Sequence, residues 1–229
     1  MKVDCLIPAR DEEGALPGVL AAIPGGIVRR VIVVDNGSRD RTAEVARAAG
    51  AQVISEPARG YGAACLAGIG YLALDPPDIL VFLDGDHADD PRELPSLVAP
   101  IERGEADLVI GSRTLGRCER GALTPQQRAG NALAVALIRV AYRHHFTDLG
   151  PFRAIRFPSL LALEMRDRDY GWTVEMQVKA LRRKLRVIEA PVSYRRRRAG
   201  KSKVSATVRG TVGAGGKILW TIARHALGK

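Results

Sequence analysis

The run Ile79-Leu80-Val81-Phe82-Leu83, followed at once by Asp84-Gly85-Asp86, carries the argument about architecture. Five consecutive apolar residues make a strand that only a sheet covered on both faces would bury, and such sheets are parallel. Residues two apart leave a strand in the same direction, and a glycine between them admits a ligand close to the backbone. The two carboxylates therefore form an open acidic step. Hard oxygen donors in that arrangement suit Mg²⁺ or Mn²⁺ together with phosphate oxygens.

The same reading applies to residues 3–8, 31–35, 53–55 and 108–112, all short apolar runs. Helical segments separate them. Asp40-Arg41-Thr42 opens one that runs to Gly50, and Asp90-Pro91 places a capping carboxylate before a proline at the first helical position. Strand and helix in alternation predict an α/β fold with a mainly parallel sheet. Further on, Thr124-Pro125-Gln126-Gln127 has the spacing of a capping box and predicts a helix to about Arg143. An irregular stretch around Gly150-Pro151, a helix over 172–184, a strand over 187–192 and a last helix ending near Leu227 complete the expectation.

The chain has 229 residues and a formal charge of +10, with 46% hydrophobic and 26% charged residues, which excludes disordered and fibrous classes. The longest uncharged stretch, residues 60–74, is glycine-rich and too short to span a bilayer. The N-terminus has no apolar signal region, and Cys5, Cys65 and Cys118 form neither a Cys-x-x-Cys pair nor an even set, so a cytoplasmic protein with structural thiols is expected. Charge is divided unevenly: residues 1–181 hold 21 basic and 24 acidic side chains, residues 182–229 hold 14 and one. The cationic end calls for a polyanionic partner.

Ligands of open parallel sheets bind beyond the carboxyl ends of the strands. Those ends are Pro8-Ala9-Arg10-Asp11-Glu12-Glu13, Asp35-Asn36-Gly37-Ser38, Asp84-Gly85-Asp86 and Gly111-Ser112-Arg113, a set of acids, arginines and glycines on one edge. Gly60-Tyr61-Gly62 begins a Gly-x-Gly-x-x-Gly pattern, but Cys65 stands in the third glycine's place and no long strand precedes it, so a dinucleotide fingerprint is not expected.

These four motifs, in this order, resemble those of glycosyltransferase family 2, and within it the dolichyl-phosphate mannose and glucose synthase branch. The resemblance covers roughly residues 2–205 as a GT-A domain, leaving 206–229 as a C-terminal amphipathic helix. It implies transfer of a sugar, with inversion, from a UDP- or GDP-linked donor to an acceptor such as a polyprenyl phosphate. By motif, Pro8, Ala9, Arg10, Glu12 and Asp35 would meet the nucleoside, and Asp84, Gly85 and Asp86 the ribose, diphosphate and metal, with Asp86 the direct ligand. Arg195, Lys201 and Ser202 match the branch's late Arg and Gly-x-Ser-Lys motif and would grip donor phosphate, while Arg113, Arg128 and Arg153 suit an acceptor phosphate. Glu175 is the candidate base. Ala88 departs from the glutamine that the mannose synthases often carry, which leaves His87 or Asp89 to complete the metal's outer ligands.

Two other readings are open. A nucleotidyltransferase making a nucleotide sugar shares the architecture but wants a glycine-rich, Lys/Arg-containing loop after strand one, which Pro8-Ala9-Arg10-Asp11-Glu12 does not supply. A nucleic-acid-binding protein would interleave aromatics with its basic residues, and the cationic end has only Tyr194 and Trp220; no nucleic-acid partner is expected. The last helix places Ile218, Leu219, Ile222, Ala223 and Leu227 on one face, suited to peripheral contact with the inner face of a membrane or to packing on its own domain or a second subunit.

Overall fold

The computed structural model describes residues 1–197, together with Gly216 and Trp220. Lys201, Ser202 and all of the expected C-terminal helix except those two positions lie outside the described residues. The strands are β1 (Val3–Ala9), β2 (Arg30–Asp35), β3 (Gln52–Ser55), β4 (Ile79–Phe82), β5 (Leu108–Ser112), β6 (Arg153–Arg156) and β7 (Val187–Pro191). The helices are α1 (Leu16–Ala22), α2 (Thr42–Ala48), α3 (Tyr61–Leu72), α4 (Leu94–Glu102), α5 (Pro125–Tyr142), α6 (Phe157–Ala162) and α7 (Trp172–Arg182).

Among the described residues seven strands form one sheet in the order β3-β2-β1-β4-β6-β5-β7, parallel except for the two pairings of β6. Strand β4 is buried throughout, as its unbroken apolar run requires. The period of two divides the core into two layers. Leu6, Ile32, Val34, Leu80 and Phe82 face one layer, with residues of α3, α5 and α7. Cys5, Ile7, Val33, Ile79 and Val81 face the other, with residues of α1, α2 and α4. All three cysteines are free, Cys5 and Cys65 buried. Among the described residues no helix is long and apolar enough to cross a membrane.

Local expectations hold where a side chain enforces them. Thr124 and Gln127 exchange the reciprocal bonds of a capping box at the start of α5. Asp90 accepts from the Arg92 N–H and opens the short turn of 3₁₀ helix, Pro91–Glu93, that leads into α4. The stretch around Gly150-Pro151 is irregular as expected, but it leads into two elements that were not expected, β6, antiparallel between β4 and β5, and then α6. Four residues, Arg-Ala-Ile-Arg, with a cation at each end, carry no strand periodicity. Their position comes from tertiary pairing.

Candidate active site

The ends of β1 and β4 and the start of α3 enclose a cavity of about 320 Å³. The segment after β1 is fastened to the one after β2: Asp11 N donates to Ser38 Oγ at 3.0 Å, Glu12 N to Thr42 Oγ1 at 2.8 Å and Glu13 N to Asp40 Oδ2 at 3.1 Å. This zip turns Pro8, Ala9, Arg10 and Glu12 onto the cavity wall. Asp84, Gly85 and Asp86 line it from β4. Seven of the sequence-selected residues thus converge.

Asp86 is 3% exposed. Its Oδ1 accepts from Ala88 N at 2.9 Å, and its Oδ2 lies 2.8 Å from Arg197 Nη2. Asp84 keeps a buried oxygen, Oδ1, with no hydrogen-bond partner. Burial, with Asp86 beside it, pushes the Asp84 carboxyl up to about 6. An unfolded carboxyl ionises from about 3.8, so the folded state loses stability as the pH rises from there towards 6 and levels off above it. Asp84→Asn is expected to flatten that loss and to melt higher than the wild type at neutral pH, measured by scanning calorimetry without ligand. Asp89 is buried with neither carboxylate oxygen hydrogen-bonded, and burial drives its carboxyl well above the usual range. Among the described residues no three His, Cys, Asp or Glu side chains form a metal cage.

Other selected residues fall elsewhere. Asp35 does not line the cavity; its Oδ1 accepts from Ser38 N at 3.2 Å, closing the turn after β2. Its neighbour Asn36 does, while bonding Glu56 O, Ala58 O and Gly60 N. Arg195 pairs with Asp90 at 2.6 Å, away from the cavity wall, and Arg197 takes the position facing the acids. Arg113 grips Asp148 through Nε and Nη2 at 2.7 and 2.6 Å and lies 5.0 Å over the Tyr194 ring. Arg128 is exposed on the first turn of α5.

Two expectations need correction. Arg153 is fully buried, donating to Gly150 O and to Thr173 O, and burial lowers its guanidinium to about 10; it holds the 149–150 loop to α7 and has no solvent face for an acceptor phosphate. Glu175, 3% exposed, accepts from Arg166 N and Asp167 N and pairs with Lys179 Nζ at 2.7 Å. Its lone pairs are spent anchoring the 166–170 loop, whose Asp169 and Tyr170 line the cavity. Glu175→Gln is expected to lower the melting temperature and weaken donor binding while leaving the pH–rate profile unchanged; loss of the acidic limb from that profile would restore the base.

The chain matches glycosyl transferase family 2 over residues 4–163. It belongs to that family. An uncharacterised glycosyltransferase of Mycobacterium tuberculosis is 43% identical over 211 residues, covering 92% of this chain and 93% of the relative. The undecaprenyl-phosphate mannosyltransferase of Micrococcus luteus is 30% identical over 224 residues, covering 92% and 90%. A dolichyl-phosphate hexose transferase of Haloferax volcanii is 34% identical over 200 residues, covering 85% and 82%. Among solved structures, glucosyl-3-phosphoglycerate synthase of Mycobacterium tuberculosis in complex with Mn²⁺, UDP and glucosyl-3-phosphoglycerate superposes with a TM-score of 0.78 at 22% identity, over 98% of this chain and 80% of that one. The fold is accordingly of the GT-A type, and the protein is a glycosyltransferase.

The glycosyltransferase cavity also uses residues to which the sequence reading gave no role there. Arg59, Gly60, Tyr61 and Ala64 contribute from the start of α3, and Asp169 and Tyr170 from the loop that Glu175 anchors. The rejected Gly60-Tyr61-Gly62 pattern explains the join. A Cβ at either glycine would come within 2.0 Å of the Arg168 or Asp167 carbonyl oxygen, and Ala63 N donates to Arg168 O at 2.8 Å. The glycines admit a loop backbone, so their spacing was a usable signal read for another ligand.

Proposed function

We propose that this glycosyltransferase transfers a sugar from a UDP- or GDP-linked donor, with inversion, to the phosphate of a polyprenyl phosphate, using Mg²⁺ or Mn²⁺. One observation carries the donor half: Asp84 and Asp86 stand together on the cavity wall, with an oxygen of Asp84 buried and unpartnered. Buried carboxylate oxygens without donors fit a hard divalent cation, whose remaining positions a diphosphate and water would fill. When bound, such an ion offsets the negative charge that develops on the departing nucleoside diphosphate. Arg10 and Arg59 add cationic groups on the wall, and Tyr61 and Tyr170 add aromatic ones. The Mn²⁺ and UDP of the synthase from Mycobacterium tuberculosis support the same reading.

For the acceptor, the names of the Micrococcus luteus and Haloferax volcanii relatives point to a lipid phosphate. The fate of Glu175 agrees with it. A phosphate monoester, with a second pKa of about 6, is already ionised at neutral pH and attacks without a general base. Helix α5 supports a lipid surface. Ala129, Leu133, Ala136 and Val140 are exposed on one stripe, opposite the buried Ala134 and Ile138, and Arg128, Arg139 and Arg143 flank it. Residues 120–147 hold four arginines and no acid. Asn131, on the same helix, bonds Leu149 N and Thr147 O beside the Arg113–Asp148 pair. Leu133→Glu combined with Val140→Glu is expected to abolish flotation with vesicles containing anionic lipid. Unchanged flotation would remove α5 from the account.

The assay that tests the function offers a panel of labelled UDP- and GDP-sugars with a short-chain polyprenyl phosphate, with and without Mn²⁺. Metal-dependent label in the lipid phase is expected. Label transferred only to 3-phosphoglycerate, or to no acceptor, would refute the acceptor assignment.

A further inference from the structure

One cation already sits on the acidic step. Arg197 places Nη2 2.8 Å from Asp86 Oδ2 and Nη1 3.4 Å from Glu12 Oε1, bridging the ends of β4 and β1 at the cavity wall. Its backbone reaches there because the segment before it pairs with the acid run: Asp89 is bridged to Tyr194, and Arg195 N donates to Ala88 O at 2.8 Å. The other oxygen of Asp86 is committed to Ala88 N. A metal ion and the Arg197 guanidinium therefore need the same oxygen.

We propose that Arg197 is an exchangeable counter-ion: it neutralises Asp86 in the unloaded enzyme, gives up Oδ2 to the metal, and turns its guanidinium to the diphosphate that arrives with it. This deepens, and rests on, the metal-bridged donor reading. A guanidinium fork fits carboxylate and phosphate oxygens alike, so the exchange replaces one charge-assisted contact by another. Each ligand alone meets an obstacle. Metal without nucleotide must break the ion pair with nothing to receive the arginine, and diphosphate without metal must approach Asp84 and Asp86 while Arg197 remains on Asp86. Together each removes the other's obstacle, and linkage makes the gain reciprocal.

The test is Mn²⁺ binding followed by its electron paramagnetic resonance signal, with no nucleotide, with UDP and with GDP, on the wild type, Arg197→Gln and Arg197→Lys. The wild type is expected to bind Mn²⁺ weakly alone and about tenfold or more tightly with the matching nucleotide. Arg197→Gln is expected to bind Mn²⁺ alone more tightly than the wild type and to lose most of the nucleotide enhancement, while Arg197→Lys retains part of it. A merely structural arginine would weaken every state together. If Mn²⁺ binds the wild type with nucleotide but Arg197→Gln changes neither its affinity alone nor the enhancement, the exchange is overturned and the donor reading stands. If Mn²⁺ binds no form with either nucleotide, both fall.

Discussion

Asp86→Asn is expected to reduce sugar transfer by roughly a thousandfold while the protein stays folded. The carboxylate is buried, and a backbone N–H fixes one of its oxygens, so the side chain is aimed before any ligand arrives. Asparagine keeps the shape and the Oδ1 acceptor but removes the charge. A thousandfold corresponds to about 4 kcal/mol of transition-state stabilisation, the size of effect expected when a metal is no longer held against a leaving diphosphate. Stability should move far less, because the partner left behind, Arg197, keeps Glu12 and partial access to solvent. The deciding comparison is turnover against melting temperature. A variant with unchanged turnover would exclude Asp86 as the ligand.

Arg153→Ala should show the opposite pattern. This guanidinium is fully buried in β6, and its removal strands the carbonyls of Gly150 and Thr173 while opening a space the size of its own side chain. Lost packing and unsatisfied buried acceptors together cost about 3–5 kcal/mol, or roughly 10 °C in melting temperature for a chain of this length. Acceptor KM in the fraction that remains folded should be unchanged. A raised acceptor KM with an unaltered melting temperature would return Arg153 to the phosphate-binding role that the sequence suggested.

Those two residues mark where the sequence could and could not be read. Asp86 was legible because a strand of continuous apolar residues fixes where its neighbours point, and the same logic placed Pro8, Ala9, Arg10, Glu12, Asp84 and Gly85 on one edge. Arg153 misled because an arginine near a phosphate motif and an arginine inside a short antiparallel strand look alike until the pairing is known. The basic run 195–198 posed a related problem. Arg195 and Arg197 both face the acid run, as residues two apart in extended backbone do, whereas Arg196 turns to Glu119. Only the bridge between Asp89 and Tyr194 sets the register that gives Asp90 to Arg195 and Asp86 to Arg197. Glu175 shows the same limit. Its place beside the site was readable, but its use as an anchor depends on N–H groups of a loop some eight residues earlier in the chain.

Calorimetric titration of UDP- and GDP-sugars into the wild type and Asp86→Asn, each with Mn²⁺ and with the metal chelated, bears on the whole reading at once. One nucleotide sugar should bind the wild type with Mn²⁺, lose most of its affinity when the metal is removed, and bind Asp86→Asn no better with metal than without. Binding that ignores the metal, or a metal effect that survives in Asp86→Asn, would contradict a donor diphosphate held through a cation on this carboxylate.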